Sequence, residues 1–345
     1  MKTSMSRTSC ELYGKSIPAA TAILKPLGER GVPCYNRRMH RTSDYVLAAA
    51  IGSVISVMVV LNTRFGQVST MAVSFLFNHM IGIIAITIIM IGIRLHRNEP
   101  TERRKAPWYL YFGGLFGFLI INANYITITN IGASLSMATA VFGQSLGSLL
   151  FDLTGFMGMR TYRISRKKVL TLSVSFIGIA IMASQGGSFS IPYVIIGTAT
   201  GILTMVQMVY NSRLASYKGV LFSARNNVIS GFVFASLVYA LTSAERTLDA
   251  ITHVTEVPIH LILGGGLLAV IVVTGTNHVI PRIPAIYSAL LLSSAQIITS
   301  IILDAIMFGL FSIHLLIGAL VILCGMLGNV WVDRQEQASH SDRMP

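Results

Sequence analysis

The chain has 345 residues, of which 53% are hydrophobic and only 11% are charged, and its mean hydropathy is +0.68. A soluble domain carries about 25% charged residues, so this composition excludes an ordinary soluble domain and indicates a protein that crosses a membrane several times. The formal net charge of +13 does not indicate nucleic-acid binding. The basic residues lie in the gaps between apolar runs, which is the distribution that the positive-inside rule produces.

The first segment, residues 1–44, is polar, basic and interrupted by glycine and proline. It contains no apolar core of signal-peptide quality, because prolines and a lysine interrupt the stretch at 17–27. We interpret this segment as a disordered cytoplasmic tail. A transit peptide that carries arginine and serine, and a chain that starts nearer Met39, are the alternatives.

Ten apolar runs follow, each close to the roughly 20 residues that a bilayer-spanning helix needs. The runs are continuous, whereas the strands of a membrane β-barrel would show short alternating segments. They therefore predict ten transmembrane helices, at 45–62, 70–93, 107–128, 132–151, 168–186, 191–210, 220–242, 259–280, 284–306 and 312–332.

The distribution of lysine and arginine predicts the orientation of these spans. If the N-terminus is cytoplasmic, all but two of the 26 Lys and Arg residues, Arg64 and Arg246, lie on the cytoplasmic side. We therefore expect a protein of the cell (inner) membrane with both termini in the cytoplasm, the C-terminal tail being residues 333–345.

The second half of the chain repeats the first. Stretches 131–152 and 283–304 align at an offset of 152, and each carries a lone glutamine deep in an apolar run, Gln144 and Gln296, and an aspartate at its end. A second set aligns at an offset of 149 and pairs Asn62, Arg64 and Asn78 with Asn211, Arg213 and Asn227.

Each half holds five of the predicted spans, and because five is odd the second half must enter the membrane in the opposite direction. The expected fold is an all-α polytopic membrane protein of ten transmembrane helices, arranged as two inverted five-helix repeats at 45–187 and 188–332. Many secondary transporters have this arrangement, with their sites near the membrane midplane between the repeats.

Three segments carry a resemblance to a known family: LNTRFG at 61–66, PWYLYFGGLFG at 107–117, and 130–152. They resemble the drug/metabolite transporter (EamA-like) superfamily, and most closely the YdcZ-type subgroup in its fused, full-length form, over residues 45 to about 332. The resemblance implies transport of a small molecule, usually export, with no catalytic residues and no cofactor. Many members of the subgroup are half this length and pair as dimers, so the resemblance also allows a homodimer. Related small multidrug exporters exchange protons at a glutamate of the first helix, and the predicted span 45–62 has no carboxylate.

The two deep glutamines are the main candidates for substrate contact. Gln144 lies about 18 Å from the end of its span, close to the middle of a hydrocarbon core about 30 Å thick. Positions four and eight residues further on share the same helix face in both halves. The candidate substrate-binding residues are Gln144, Gln296, Ser148, Ser300, Asn124 and Asn277. The alternative is a structural role, in which a buried amide bonds a neighbouring helix and contributes about 0.6 kcal/mol.

A second group of candidates lies where predicted helices end. A carboxylate at a helix C-terminus opposes the helix dipole, so Asp152 and Asp304 need a partner: a basic group such as Arg64 or Arg246 for Asp304, or protons in a gating network. The full set assigned to gating or coupling is Asp152, Asp304, Asn62, Arg64, Asn211 and Arg213. For the two Asn/Arg pairs, cations that simply reach the membrane interface are the alternative.

The sequence does not favour an enzyme or a metal site. Gly143 to Gly147 matches G-x-S-x-G but lies inside an apolar helix, where it indicates a small-residue packing face and not a nucleophile elbow. His79 and His278 are single imidazoles without metal-ligand spacing. The predicted function is a secondary transporter that moves a small organic metabolite or drug-like solute across the lipid bilayer by alternating access, and a non-transport membrane scaffold or regulatory subunit is the alternative.

Overall fold

The computed structural model describes residues 42–96, 105–158, 165–184, 191–279, 285–307, 309 and 311–341. This part of the chain contains ten α-helices. They are α1 Thr42–Val68, α2 Met71–His96, α3 Gly113–Thr154, α4 Arg166–Ala183, α5 Ile191–Lys218, α6 Val220–Thr242, α7 Ala244–Thr252, α8 Ile259–Val279, α9 Ala285–Met307 and α10 Ile313–Ser341. Three short 3₁₀ turns join them, at Trp108–Phe112, Phe156–Gly158 and Val254–Glu256. The predicted tail at 1–44 lies outside the described residues except for its last three, which open α1.

Eight of these helices are long and apolar enough to cross a membrane. Neither α4, which begins with three basic residues, nor the nine-residue α7 is among the eight. The predicted span 132–151 lies within the helix α3, which has 42 residues, and so does the predicted span 107–128 apart from its first six residues, most of which form the preceding 3₁₀ turn. At about 1.5 Å per residue α3 would be twice as long as the hydrocarbon core if it were straight.

Helix α3 is not straight, because the chain breaks at Gly132, where φ is 77° and ψ is 167°. Only glycine adopts this backbone conformation readily. The hydroxyls of Thr127 and Ser136 lie 2.5 Å apart although nine residues separate them, a separation that would span about 13 Å in a continuous helix. Helix α3 therefore consists of two arms, 113–131 and 133–154, that turn back on each other.

The two halves of the chain interlock. In the first half α1 packs against α8 and α9, α2 against α6 and α4 against α10, and both arms of α3 lie beside helices of the second half, chiefly α5. Two helix interfaces are close enough that only glycine fits. A Cβ added at Gly201 of α5 would lie 1.9 Å from the Ala140 carbonyl oxygen of α3, and one at Gly52 of α1 would lie 2.3 Å from the Leu292 carbonyl oxygen of α9. These two contacts occupy equivalent positions in the two halves.

Equivalent helices of the two halves also pack in opposite directions. On α2 and α6, Gly82 meets Val228 and the earlier residue His79 meets the later residue Gly231. On α4 and α10, Gly178 approaches Gly318 while Thr171 approaches Gly328. In both pairs the order of contacts reverses along the chain, so the helices of each pair run antiparallel.

Candidate functional site

The break in α3 is occupied by an aspartate from the other half of the chain. Asp304, on α9, is only 2% exposed. Its carboxylate accepts hydrogen bonds from the backbone N–H groups of Ala133 (2.8 Å) and Ser134 (2.6 Å) and from the Ser134 hydroxyl. These N–H groups belong to the first turn of the second arm, which has no internal acceptors for them, so Asp304 caps this helix.

This cap explains how a carboxylate is accommodated near the C-terminus of α9. The dipole of α9 itself disfavours a negative charge there, while the N-terminus of the second arm of α3 favours it. The sequence interpretation considered basic side chains and protons as partners and did not include a helix N-terminus. A Cβ at Gly132 would also lie 3.2 Å from an Asp304 carboxylate oxygen, so the glycine both permits the break and leaves room for the cap.

The two glutamines lie at equivalent interfaces between the halves: Gln144 where α3 packs on α5 at Gly201, and Gln296 where α9 packs on α1 at Ser56. Gln144 is half-buried, and Gln296 is 8% exposed. The Gln296 carbonyl oxygen accepts a hydrogen bond from the Ser56 hydroxyl at 2.7 Å. Within the described ranges neither glutamine side chain hydrogen-bonds another residue, nor do the two bond each other. Their amides are therefore not used as hydrogen bonds between helices in this conformation.

The remaining candidates for substrate contact behave differently from one another. Ser148 and Asn124 are half-buried. Ser300 is fully buried, and its hydroxyl donates to the Ile297 carbonyl of its own helix at 2.8 Å, so in this conformation it offers no free group. The side chains of Asn277 and Asp152 lie outside the described part of the structure.

The sequence interpretation placed the two Asn/Arg pairs at the ends of their helices. The structure differs: α1 continues past Arg64 to Val68, and α5 continues past Arg213 to Lys218. Arg64 donates to the Met307 carbonyl (3.4 Å) at the end of α9, and Arg213 donates to the Met157 carbonyl, just beyond the end of α3. Each cation therefore meets the negative end of a helix dipole that belongs to the other half. The helices continue because nothing in the sequence after these residues breaks them before the turns near 69 and 219.

Arg64 also takes part in a polar network that links three elements. It donates to the Gln67 side-chain oxygen at 3.1 Å, and Gln67 donates to the Thr129 hydroxyl, at the end of the first arm of α3, at 3.2 Å. Together with the bond from Arg64 to α9, the network joins α1, α3 and α9 at one end of the molecule. The sequence interpretation did not identify Gln67, because nothing in its local pattern distinguishes it from an interfacial polar residue.

Asn62 and its equivalent Asn211 each lie in a cluster with a second asparagine, and the two clusters are equivalent. In the first, Asn62 of α1 and Asn78 of α2 meet α8 at Gly265. In the second cluster Asn211 of α5 and Asn227 of α6 meet the start of α3 at Gly113. In each case a serine one turn before the second asparagine donates to the carbonyl of the first: Ser74 to Asn62 at 2.8 Å and Ser223 to Asn211 at 2.7 Å.

A polar cavity of about 380 Å³ opens where the turn between α1 and α2 meets α7. Its polar lining is Ser69, Thr70, Arg246, Asp249, His253 and Glu256. A hydrogen bond with the Asp249 carbonyl oxygen at 3.0 Å, and the charges of Glu256 and Asp249, raise the pKa of the His253 imidazole above its ordinary value. The cavity was not predicted from the sequence, since its residues come from two distant loops.

A bundle of helices long and apolar enough to cross a membrane, in which two repeated halves make equivalent contacts, places the chain in the class of polytopic membrane proteins. The family model described as "Putative inner membrane exporter, YdcZ" matches residues 45–181 and again residues 192–328. These two matches cover most of the chain, and the chain belongs to this family of the drug/metabolite transporter superfamily. It is thus a membrane transporter of the drug/metabolite type with a two-repeat architecture, and its family is one of exporters and not of enzymes.

Among solved structures, the chain is similar to one described only as "Crystal structure of protein". The match covers 86% of this chain and 98% of that chain, with 16% sequence identity and a TM-score of 0.50. At that identity the likeness concerns the fold alone. A search of the curated proteins found no match.

Proposed function

We propose that this protein is a secondary transporter that exports a small organic metabolite or drug-like solute across the inner membrane by alternating access. The observation that carries the proposal is that equivalent residues of the two halves make equivalent contacts with the other half. Gly52 packs on α9 as Gly201 packs on α3. Arg64 donates to the carbonyl end of α9, and Arg213 donates to a carbonyl just beyond the end of α3. When two repeats make equivalent contacts, exchanging their conformations gives a second state of similar energy that is open to the opposite side.

Ten membrane spans in two inverted repeats are part of this proposal. Counting the arms of α3 as two spans and adding α4 gives five helices in the first half, and α5, α6, α8, α9 and α10 give five in the second. The antiparallel packing of α2 on α6 and of α4 on α10 supports the inversion, since an odd number of spans reverses the direction of each equivalent helix. The charge distribution supports cytoplasmic termini.

The interlocked halves bear on how the transporter would move. Because α1 and α5 each pack on helices of the other half, the repeats do not form two blocks that could rock as units. We propose that the helices move in cross-repeat pairs. The Asp304 cap and the Arg64 network lie at two such junctions, which supports a gating or coupling role for Asp304, Arg64 and, by the repeat, for Asp152 and Arg213.

The substrate would bind against Gln144 and Gln296, with Ser148, Asn124 and Asn277 as further contacts and Ser300 reached in another conformation. Amide side chains without protein partners, surrounded by apolar side chains, suit a neutral or amphipathic solute. The solute and the bilayer are the expected partners, and pairing of two chains as a homodimer is compatible with this site.

Transport of a solute can be tested directly. A thermal-shift screen of neutral and amphipathic metabolites on the purified protein selects a solute, because a ligand of the folded state raises its apparent stability. Counter-flow of that solute in proteoliposomes is then expected for the natural protein and should be abolished in the double variant Gln144→Leu, Gln296→Leu. Gln335→Leu makes the same chemical change beyond the last span and should leave the flux unchanged.

Two results would contradict the proposal in different ways. Normal counter-flow in a folded double variant would remove both glutamines from the substrate site. A ligand that raises the melting temperature of the protein without any flux in proteoliposomes would favour a binding or scaffold role over transport.

A further inference from the structure

Two buried amide oxygens in the first asparagine cluster face the same glycine. A Cβ added at Gly265 would lie 1.7 Å from Asn62 Oδ1 and 2.5 Å from Asn78 Oδ1, so the two oxygens are neighbours. Both atoms are buried and lack a hydrogen-bond donor among the described residues, and Asn78 is only 8% exposed. A buried acceptor without a donor loses the hydrogen bonds that water would give it, so it destabilises the fold unless another group binds it.

The hydrogen bonds around Ser74 determine which way the Asn78 amide points. Ser74 donates its hydroxyl proton to the Asn62 carbonyl oxygen at 2.8 Å. Its oxygen can then only accept, and it accepts from Asn78 Nδ2 at 3.3 Å. The Asn78 amide nitrogen is therefore committed to Ser74, and its oxygen must face α8.

The second asparagine cluster has a donor where the first has none. Gln207 Nε2 lies 3.1 Å from Asn227 Oδ1 and 3.4 Å from the Gly113 carbonyl oxygen, and donates to both. At the repeat offset of 149, the position equivalent to Gln207 is Met58, whose thioether cannot donate. The two clusters are thus alike in their asparagines and glycines, but only the second has a side chain that donates to an asparagine Oδ1.

We propose that the cluster of Asn62 and Asn78 binds an alkali-metal cation, with Na⁺ as the probe. Amide oxygens are hard, neutral ligands of the kind that coordinate such ions inside membrane proteins. A divalent cation is disfavoured because no cluster of acidic or histidine ligands that could compensate its charge occurs in the part of the chain that the structure describes. Water would complete the coordination.

The position of the cluster gives the cation a place in transport, a step that rests on the proposed function. Asn62 lies six residues before the end of α1, about 9 Å from that end. Asn227 lies seven residues after the start of α6, about 10 Å from the opposite face. A cation would therefore enter from the outer side only, while Gln207 fills the equivalent inner cluster. Uptake of the cation from outside would be exchanged for export of the solute.

The binding step is tested without transport, on the purified full-length protein in detergent. The melting temperature is measured as NaCl replaces choline chloride at constant ionic strength. The natural protein is expected to show a saturable rise of at least about 2 °C. Met58→Gln, which supplies the donor found in the second cluster, should abolish the rise. Met58→Leu, which supplies none, should keep it.

If the Met58→Gln protein fails to fold, the opposite exchange at the second cluster, Gln207→Met, still tests the proposal. Gln207→Met leaves the second cluster without its donor and should add a second saturable Na⁺ response. The alternative to cation binding is that the Asn62 amide rotates, so that its nitrogen donates to Asn78 Oδ1. In that case the melting temperature of the natural protein would not depend on Na⁺. The absence of a Na⁺ response in the natural protein, or a response that Met58→Gln leaves unchanged, would overturn the proposal. A Na⁺ response in a protein that moves no solute would leave the binding site standing and remove only its link to transport.

Discussion

At the scale of single residues, the feature with the largest consequence is the carboxylate of Asp304. It meets two backbone N–H groups and one hydroxyl of α3, and all four of these groups lie in the protein interior. Its role is that of a helix N-cap, except that it comes from a helix in the other half of the chain. Asp304 therefore links the fold of one repeat to the position of the other, and this link is the basis of the gating or coupling role proposed for it.

Replacement of Asp304 should destabilise the protein in a graded way. Asp304→Ala leaves buried donors without an acceptor, at about 1–3 kcal/mol for each. Asp304→Asn keeps one acceptor oxygen and should cost less. We expect melting temperatures in detergent to fall in the order natural protein, Asn variant, Ala variant. Glu245→Ala, on the exposed α7, is the control and should change little. Equal stability of the Ala variant and the natural protein would show that the cap is not important for the fold.

At the scale of helices, glycine positions are where the backbones of two helices come into close contact. The α1–α9 and α3–α5 interfaces bring backbones together where Gly52 and Gly201 have no side chain. This is the small-residue packing expected between membrane helices, where the hydrophobic effect gives no driving force and close van der Waals contact does. The sequence interpretation of Gly143 and Gly147 as packing positions agrees with the structure, since both contact α5.

Alanine at the two equivalent glycines should weaken both interfaces. Gly52→Ala and Gly201→Ala would place a Cβ 2.3 Å and 1.9 Å from a carbonyl oxygen, so the helices must separate. Overpacking of this kind costs about 1–3 kcal/mol, and we expect lower melting temperatures and slower counter-flow. At Gly92 of α2 an added Cβ meets no atom of the described residues within 4 Å, so Gly92→Ala should be neutral or stabilising, by up to about 1 kcal/mol. Equal melting temperatures and counter-flow rates in all three variants would contradict the close glycine contacts at the α1–α9 and α3–α5 interfaces.

At the scale of the whole molecule, the organising feature is that helices of one half pack on helices of the other. Equivalent helices run antiparallel where they meet, as α2 and α6 do. A chain built this way cannot be divided into two independent domains, since most interfaces of each half would then be exposed. With the proposed inversion, equivalent loops would lie at opposite ends of the bundle.

The proposed inversion of the two repeats predicts opposite accessibility for equivalent positions. Val68 and Tyr217 are equivalent at the offset of 149, and the exposed Ser216 adjoins the latter. In a background without the native cysteines, a thiol reagent that does not cross membranes should label Val68→Cys in intact cells and should label Ser216→Cys only after the cells are opened. Labelling of both variants in intact cells would mean that the halves run in the same direction. The reverse pattern would place the termini outside.

Much of this architecture follows from the sequence alone. The continuous apolar runs define the helices because a chain in lipid must satisfy its backbone hydrogen bonds within each segment. The repeat at offsets of 149 and 152 correctly pairs positions whose contacts prove equivalent, such as Asn62 with Asn211. Helix ends were less predictable: α1 and α5 extend past their asparagines because only the turns beyond them break the helix.

What the sequence by itself determined is thus the membrane class, the two repeats and the polar positions worth inspecting, since each depends on local composition and spacing. Only the tertiary structure decided that Asp304 caps α3, that Arg64 and Arg213 reach helices of the other half, and that one asparagine cluster has a donor while its equivalent does not. These facts depend on which distant helices meet and at what depth. That choice is made by close packing between residues more than a hundred positions apart, and no local pattern encodes it.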